Sequence, residues 1–358
     1  MLETHEASDS RQDIPTISII IPSRNEERFI EKCLISLLDG TYPCNKLEVF
    51  VIDGCSTDNT TQVVKALSDS RGWNIRVINN PDKTQSHALN IGIQLAIGKY
   101  IARADAHSEY QPDYLEKLAG YLDQYPEVSN VGGMCDIQPS RNTMTASAIA
   151  TAYSHKFATG NALWRVGVSQ PTIVDTVPFG FFRREVFEKY GVFDVDLTRN
   201  QDQEFNHRII AGGGKILLVP DVVTVYYARS GLISMARMFF QYGWFKPLSQ
   251  YKQKGVHAYR QFIPFVSFVL LIVLIILAIV TGTLFFVWLG VAVLAFYMVI
   301  SGIASINAIK KKNRSYILIP LVCLVFWVIH TSFLFGNIKG IIDFLLLKKR
   351  VQDIPLTR

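Results

Sequence analysis

Asp105 and His107 stand two residues apart at the end of the run Lys99-Tyr100-Ile101-Ala102-Arg103-Ala104-Asp105-Ala106-His107. The apolar, β-branched start of this run reads as a strand, and the strand ends in a carboxylate and an imidazole. Residues i and i+2 of a strand share a face. A carboxylate and a neutral imidazole on one face can hold a divalent cation, and such a cation can bridge a diphosphate. The same residues also serve as an ordinary strand end, with a turn-forming Asp and a solvated His. Two more carboxylates invite chemistry. Asp53 opens Asp53-Gly54-Cys55-Ser56-Thr57-Asp58 beside a glycine that lets a ligand approach the backbone. It can accept from a ribose hydroxyl or a base N–H, or it can close a turn ahead of a helix cap. Asp202 lies in the polar cluster Asn200-Gln201-Asp202-Gln203-Glu204, near a helix start. A carboxylate there serves the helix dipole or acts as a general base. Arg103, Lys83, Gln85, His87 and Asn90 offer groups either to a nucleotide or to structural hydrogen bonds.

These residues need elements to position them. Residues 16–21 form a short, continuous apolar run, the pattern of a buried parallel strand. The loop Pro22-Ser23-Arg24-Asn25-Glu26-Glu27 follows. Phe29, Ile30, Cys33, Leu34, Leu37 and Leu38 then recur at helical spacing. Strands at 47–52, 75–78 and 100–104 alternate with helices ending near 67, at 86–97 and at 112–125. Such alternation predicts an α/β fold with a doubly wound, mainly parallel sheet. Ligands of such sheets sit beyond the carboxyl ends of the strands. The clusters at 22–26, 53–58 and 105–107 all fall at those ends. Farther on, 127–138 reads as a strand and 140–151 as a mobile loop or a helix of small residues. Residues 153–176 carry little pattern and read as an active-site flap. A helix is expected from Val177-Pro178-Phe179-Gly180 to Tyr190, another from Asn200 to the stop at Gly212-Gly213-Gly214, and short strands at 215–219 and 222–227.

Composition changes after about residue 260. The formal charge of the 358-residue chain is +6, and many of its cations flank the long apolar runs that follow. That placement points to an anionic membrane surface or to topology marking, and away from nucleic acid. The five cysteines show no CxxC spacing, so neither a disulfide framework nor a zinc site is expected, and a reducing compartment fits. Residues 1–14 are polar, unlike a signal peptide, and read as a flexible tail. Residues 231–260 are aromatic and basic, and read as an amphipathic segment at the membrane interface or as an ordinary core-facing helix. Residues 262–281, 284–306 and 316–335 are each about as long as a bilayer core requires, roughly 20 residues. The basic loop Lys310-Lys311-Lys312-Asn313-Arg314 is expected on the cytoplasmic side with the large domain. Three spans would place Lys348-Lys349-Arg350 outside, and a re-entrant or interfacial last segment would remove that conflict.

Six motifs in order resemble glycosyltransferase family 2. They are Ile19-Ile20-Ile21-Pro22-Ser23-Arg24-Asn25-Glu26, Asp53-Gly54-Cys55-Ser56-Thr57-Asp58, Ala88-Leu89-Asn90-Ile91-Gly92, Arg103-Ala104-Asp105-Ala106-His107, Gly180-Phe181-Phe182-Arg183-Arg184 and Gln201-Asp202-Gln203-Glu204-Phe205. The Asp-Ala-His form, with the apolar C-terminal region, looks most like succinoglycan-type bacterial exopolysaccharide β-glucosyltransferases. The resemblance implies a GT-A nucleotide-sugar-binding domain at 15–230 and a transmembrane helical region at 261–350. It implies that Pro22, Arg24, Glu26, Asp53 and Asp105 serve the donor nucleotide, and Lys83 and Arg103 are added to them as candidates from their place near the strand ends. Asp105 and His107 then occupy the positions that meet a divalent cation, Asp202 that of the catalytic base, and Gly180, Gln201 and Glu204 lie on the acceptor side. His107 departs from the Asp of most members, and imidazole favours Mn²⁺ over Mg²⁺. The implied enzyme is an inverting hexosyltransferase with a UDP-sugar donor and a polyprenyl-diphosphate-linked oligosaccharide acceptor. It would be multi-pass in the inner membrane, with its catalytic domain in the cytoplasm and other exopolysaccharide-pathway enzymes as partners. Competing expectations are a polyprenyl-phosphate glycosyltransferase, a processive synthase and a non-catalytic scaffold. For the processive synthase, Gln241-Tyr242-Gly243-Trp244 lacks the Arg of the usual motif.

Overall fold

The computed structural model describes residues 16–160, 162–253 and 263–349. The expected tail at 1–14, the end of the expected interfacial segment at 254–260, and Arg350 lie outside the described residues. In chain order the elements begin with β1 (Ile17–Ser23), α1 (Ile30–Leu38), β2 (Leu47–Asp53), α2 (Thr60–Arg71), β3 (Ile75–Asn79), α3 (Gln85–Leu95), β4 (Tyr100–Arg103), β5 (Ser108–Tyr110) and α4 (Tyr114–Gln124). They continue with β6 (Val128–Pro139), α5 (Met144–Tyr153), α6 (Lys156–Thr159), α7 (Leu163–Val166), β7 (Thr172–Ile173), β8 (Phe181–Arg183), α8 (Glu185–Tyr190), α9 (Gln201–Ala211) and β9 (Lys215–Ala228). Four long helices close the chain: α10 (Leu232–Lys252), α11 (Ile263–Thr281), α12 (Leu284–Lys311) and α13 (Ile319–Gly340). A π-helical turn, Ile341–Leu346, extends α13.

The chain divides into two compact units. The first holds the described residues up to Val131 together with Phe179–Val192. Its sheet has β1 paired in parallel with β2 and β4, and β2 in parallel with β3. β8 adds antiparallel to β4 and to the start of β6. The parallel part is as the alternation predicts. The strand β8 stands where the sequence pattern suggested the opening of a helix. Phe181 and Phe182 are buried there, so strand pairing claims the residues ahead of α8.

β1 and β2 are apolar on both faces because both faces are covered, as parallel sheets require. One carboxylate is buried among them. Glu48 Oε1 accepts from Ser18 Oγ at 2.5 Å and from the Ile97 backbone N–H at 2.8 Å, which satisfies it without an ion pair. Gly92 explains its own place in the third motif. A methyl group there would stand 2.4 Å from Ile20 Cγ2, so α3 meets β1 only through a glycine. Gly92→Ala is therefore expected to destabilise the first unit by about 1–3 kcal/mol through overpacking. A thermal midpoint equal to wild type would contradict this.

The second unit holds Gly132–Pro178 and the described residues from Phe193 onward. β9 is one long strand, not the two short ones expected, and β7 pairs with it antiparallel at Thr172↔Leu218. The patternless stretch 153–176 contains α6, α7 and β7. The small residues at 144–153 form α5, capped by Thr143 and buried along most of its length. α10 packs against α13 through glycines. Added methyl groups at Gly243, Gly336 and Gly340 would meet the carbonyl oxygens of Phe333, Phe240 and Trp244 at 2.1, 2.0 and 2.1 Å. The aromatic, basic helix expected at an interface thus has one face against protein.

Candidate active site

In the first unit, three loops converge beyond the carboxyl ends of parallel strands. The loop after β1 carries Arg24, the loop after β2 carries Asp53 and Gly54, and the turn after β3 carries Lys83. A methyl group at Gly54 would lie 3.4 Å from Arg24 Cβ and 3.5 Å from Lys83 Cα. Gly54 thus sits between the Arg24 side chain and the Lys83 backbone, which brings the three loops together. Asn25 and Lys83 adopt left-handed φ values of 55° and 60°, which turn both loops sharply. Asn25 ties the first loop to the second: its N–H donates to Ser56 Oγ at 2.9 Å, and its Oδ1 accepts from Thr57 N–H at 2.8 Å. Asp53 closes its own turn by accepting from Ser56 N–H and Oγ at 2.9 and 2.5 Å. Pro22 lies within β1, next to this cluster. The Arg24 Nε atom is buried without a hydrogen-bond partner, as suits a guanidinium shaped to meet a ligand.

Beyond β4, Asp105 is held from several directions. Its side chain, 14% exposed, lies 3.3 Å from Arg103 Nη2, and the Arg103 side chain is 9% exposed. Gln85 Nε2 donates to the same oxygen at 3.4 Å. The Asp105 backbone N–H donates to the Tyr110 hydroxyl at 2.7 Å, and its carbonyl accepts from Cys33 Sγ at 3.6 Å. Burial first, then the charges of Asp105, Glu26 and Glu109, push the Cys33 thiol far up, so it acts as a neutral donor and not as a nucleophile. Cys33 and Tyr110 escaped the sequence reading because each looks like core. The Arg103 N–H donates to the Gly180 carbonyl at 3.0 Å, and Gly180 has a φ of +90° with the Phe182 ring against it. Gly180 thus makes the junction of β8 with β4, one strand away from Asp105.

His107 Nδ1 faces Glu26 Oε1 at 3.5 Å, joining the loops after β4 and β1. A carboxylate against one ring nitrogen is how metal-binding imidazoles are commonly oriented. Among the described residues, no three His, Cys, Asp or Glu side chains are grouped to hold a metal ion by themselves. Asp105 and His107 by themselves thus do not form a closed protein cage for a metal. His87 serves structure: its Nδ1 stands 2.6 Å from Thr84 Oγ1 at the start of α3.

In the second unit, Asp202 stands in the first turn of α9. Its Oδ1 accepts from the Gln203 N–H at 2.9 Å. Asn200, at φ +65°, donates from Nδ2 to the Tyr242 carbonyl at 3.3 Å. Arg199 donates to Gln241 Oε1 at 3.3 and 3.2 Å. Gln201 is buried. Glu204 is committed to Arg208, one turn along, at 2.6 and 2.9 Å, so its carboxylate braces the helix. Lys246 of α10 is the residue the sequence reading missed. It is 7% exposed, its Nζ donates to Gln203 Oε1 at 2.8 Å, and its charge faces Asp202 and Asp175.

Burial pushes the Lys246 ammonium down from 10.5 to about 8, against the pull of Asp202 and Asp175. Between those values the folded chain binds fewer protons than the unfolded one, so the wild-type fold gains stability as pH rises through that window. Lys246→Met removes this slope. Its Tm is expected to exceed that of wild type by several degrees near neutral pH, with the gap closing toward about pH 10. A gap independent of pH would show that the ammonium is not the cause.

The glycosyl transferase family 2 model matches residues 18–191. A Methanococcus voltae relative, the dolichyl N-acetyl-alpha-D-glucosaminyl phosphate 3-beta-D-2,3-diacetamido-2,3-dideoxy-beta-D-glucuronosyltransferase, is 29% identical over 91% of this chain and 97% of its own. The succinoglycan biosynthesis protein ExoA of Rhizobium meliloti is 28% identical over 69% of this chain and 73% of its own. A mannosyltransferase from Pyrobaculum calidifontis, solved with GDP-Man and Mn²⁺, shares the fold. Its TM-score is 0.60 at 20% identity, over 92% of this chain and 88% of that one. The fold is GT-A, residues 18–191 form a glycosyl transferase family 2 domain, and the chain is a glycosyltransferase.

Proposed function

We propose that the chain is a membrane-bound inverting enzyme that moves one sugar from a nucleotide-sugar donor to a lipid-linked acceptor. The convergence of Arg24, Gly54 and Lys83 beyond the parallel strands carries the donor part of this reading. Cationic side chains around an open backbone suit a nucleoside diphosphate. The acceptor part is supported by the Methanococcus voltae relative, whose name gives a dolichyl-linked sugar phosphate as its acceptor and which this chain matches nearly end to end. A UDP-sugar donor, a hexose such as glucose and an exopolysaccharide product are the finer reading, supported by the likeness to ExoA. Membrane attachment is supported by two helical segments long and apolar enough to cross a bilayer, Leu284–Lys311 and Tyr316–Leu346, and by the adjoining apolar helix α11.

In this reading, Arg24, Asp53 and Lys83 bind and orient the nucleotide. Asp105 and His107 would hold a divalent cation, which would supply charge neutralisation for the departing diphosphate. Arg103 and Gln85 keep the Asp105 carboxylate in place. Asp202 takes the proton of the acceptor hydroxyl while that oxygen bonds to the anomeric carbon. The bond from that carbon to the diphosphate breaks on the opposite side, and the nucleoside diphosphate leaves with the electron pair. An α-linked donor then yields a β-linked product.

The test is nucleoside-diphosphate release by the detergent-purified full chain against a panel of nucleotide sugars. Each donor is run with and without a polyprenyl-diphosphate-linked oligosaccharide. One donor turned over only with the lipid-linked acceptor is the expected result. Equal transfer to free oligosaccharide would overturn the acceptor assignment. Transfer to a bare polyprenyl phosphate would instead favour the polyprenyl-phosphate reading.

A further inference from the structure

The helical segment that contains α13 is tied at both ends to other elements of its unit, and this bears on how the chain crosses. At its leading end, Lys312 Nζ stands 2.6 Å from Asp136 Oδ1, and Arg314 Nη2 donates to Gln138 Oε1 at 3.3 Å, both on β6. Just ahead of these, Lys311 Nζ, at the last residue of α12, donates to the Val166 carbonyl of α7 at 2.5 Å. Midway, His330 Nε2 lies 2.8 Å from the Phe157 carbonyl of α6. At the trailing end, Gly336 and Gly340 lie against the backbone of Phe240 and Trp244 on α10, and Asp343 Oδ2 accepts from Trp244 Nε1 at 3.1 Å. That same stretch of α10 grips the start of α9 through Gln241, Tyr242 and Lys246. Lys252, at its end, lies 2.6 Å from Asp194.

A helical segment as long as Tyr316–Leu346 extends about 45 Å at 1.5 Å per residue. A bilayer core is about 30 Å thick. If the segment crossed, one of its ends would be carried to the far side, away from the polar elements it touches. It instead lies along them. A third of its most apolar window, 33%, is buried inside the protein, against 6% for α12. The face left exposed is an apolar stripe of Leu324, Trp327, Phe335, Ile342 and Leu346. Cations flank the segment at both ends: Lys310 and Lys311 before it, Lys348 and Lys349 after it. An apolar stripe between cationic ends matches a bilayer surface with anionic headgroups.

α11 and α12 behave otherwise. Around the turn that joins them, Ile276, Ile279, Val280, Leu284, Phe285 and Trp288 are all exposed. α12 becomes buried only from Ser301 onward. The 19 residues of α11 span about 28 Å, close to one bilayer core.

We infer that α13 with its π-helical turn lies in the membrane surface and does not cross it, so that the α11–α12 hairpin is the chain's membrane-crossing element. The inference rests on the reading of that hairpin as membrane-embedded. It returns Lys348 and Lys349 to the side of Lys310–Lys312, so both basic clusters obey the positive-inside rule. It also makes α13 the floor on which α10 carries Lys246 to the Asp202 loop.

The experiment uses the full chain in sealed membrane vesicles of both orientations, with one tag before Met1 and another after Arg358. Protease is expected to remove both tags from the same face. A membrane-impermeant maleimide is expected to label Thr283→Cys, at the hairpin turn, from the opposite face. Loss of the C-terminal tag only from the Thr283 face would overturn the inference, because α13 would then cross. Labelling of Thr283→Cys from the face of the N-terminal tag would defeat the hairpin reading itself. A fluorophore on Leu324→Cys supplies the lipid arm: a quencher near the headgroup should act on it more strongly than one deep in the acyl chain. Stronger deep quenching, or none from either depth, would also overturn the surface placement.

Discussion

Asp202→Asn is expected to lower transfer by about 10²–10⁴-fold, the usual contribution of a positioned general base. Donor binding should persist. The amide keeps the oxygen that accepts from the Gln203 N–H at 2.9 Å, so the first turn of α9 has no reason to reshape. Asn200 and Gln203 remain anchored to α10 through Tyr242 and Lys246. The variant should therefore keep its fold and its affinity for the nucleotide sugar, with a lower thermal midpoint because the buried Lys246 ammonium loses one of the carboxylates that face it. Nucleoside-diphosphate release, measured beside donor binding by calorimetry, separates the outcomes. Normal release would remove Asp202 from the base role. Lost release together with lost donor binding would show a structural role instead.

Asp105→Asn should be nearly as severe, for a different reason. Asn keeps one oxygen for Gln85 and Arg103, so the loop after β4 stays in register. What is lost is the negative charge that faces a buried guanidinium and that, under the proposed function, would hold a divalent cation. We expect kcat/KM to fall by at least about 10²-fold, in line with the loss of a metal-site partner. Mn²⁺ titration by electron paramagnetic resonance, with nucleoside diphosphate present, gives a readout independent of turnover. Weaker Mn²⁺ binding is expected for Asp105→Asn. His107→Asp should shift the activity preference from Mn²⁺ toward Mg²⁺, because an oxygen replaces the imidazole nitrogen. Unchanged Mn²⁺ binding in Asp105→Asn would remove Asp105 from the cation site. Equal activity in Mn²⁺, Mg²⁺ and chelator would remove His107 as well.

The parallel core was legible because its signals are local. Residues 17–21 and 47–52 are dominated by β-branched and other large apolar residues, interrupted only by Ser18 and Glu48, a pattern that suits strands covered on both faces. Once those strands are parallel, their carboxyl ends share one edge, and Arg24, Asp53 and Asp105 must lie along it. The apolar C-terminal helices were equally plain from length and composition.

What tertiary structure decided is how those residues are held and what each is free to do. Glu204 carries the same charge as Asp202, yet Arg208 claims it on its own helix. Gly92 and Gly180 sit in motifs that suggest ligand contact. The first is a close approach of helix to strand, and the second a left-handed junction before β8. Cys33 and Tyr110 read as ordinary core, but they fasten the backbone of Asp105. Lys246 meets Gln203 across 43 residues of chain, from within a helix whose aromatic and basic pattern does not single this lysine out. By itself the sequence determined the parallel strands with the polar clusters at their ends and the long apolar segments near the C-terminus, because periodicity and composition act over a few residues at a time. The partners of each charge, and the course of α13 along the protein, depend on groups far apart in the chain that meet only when helix packs on helix.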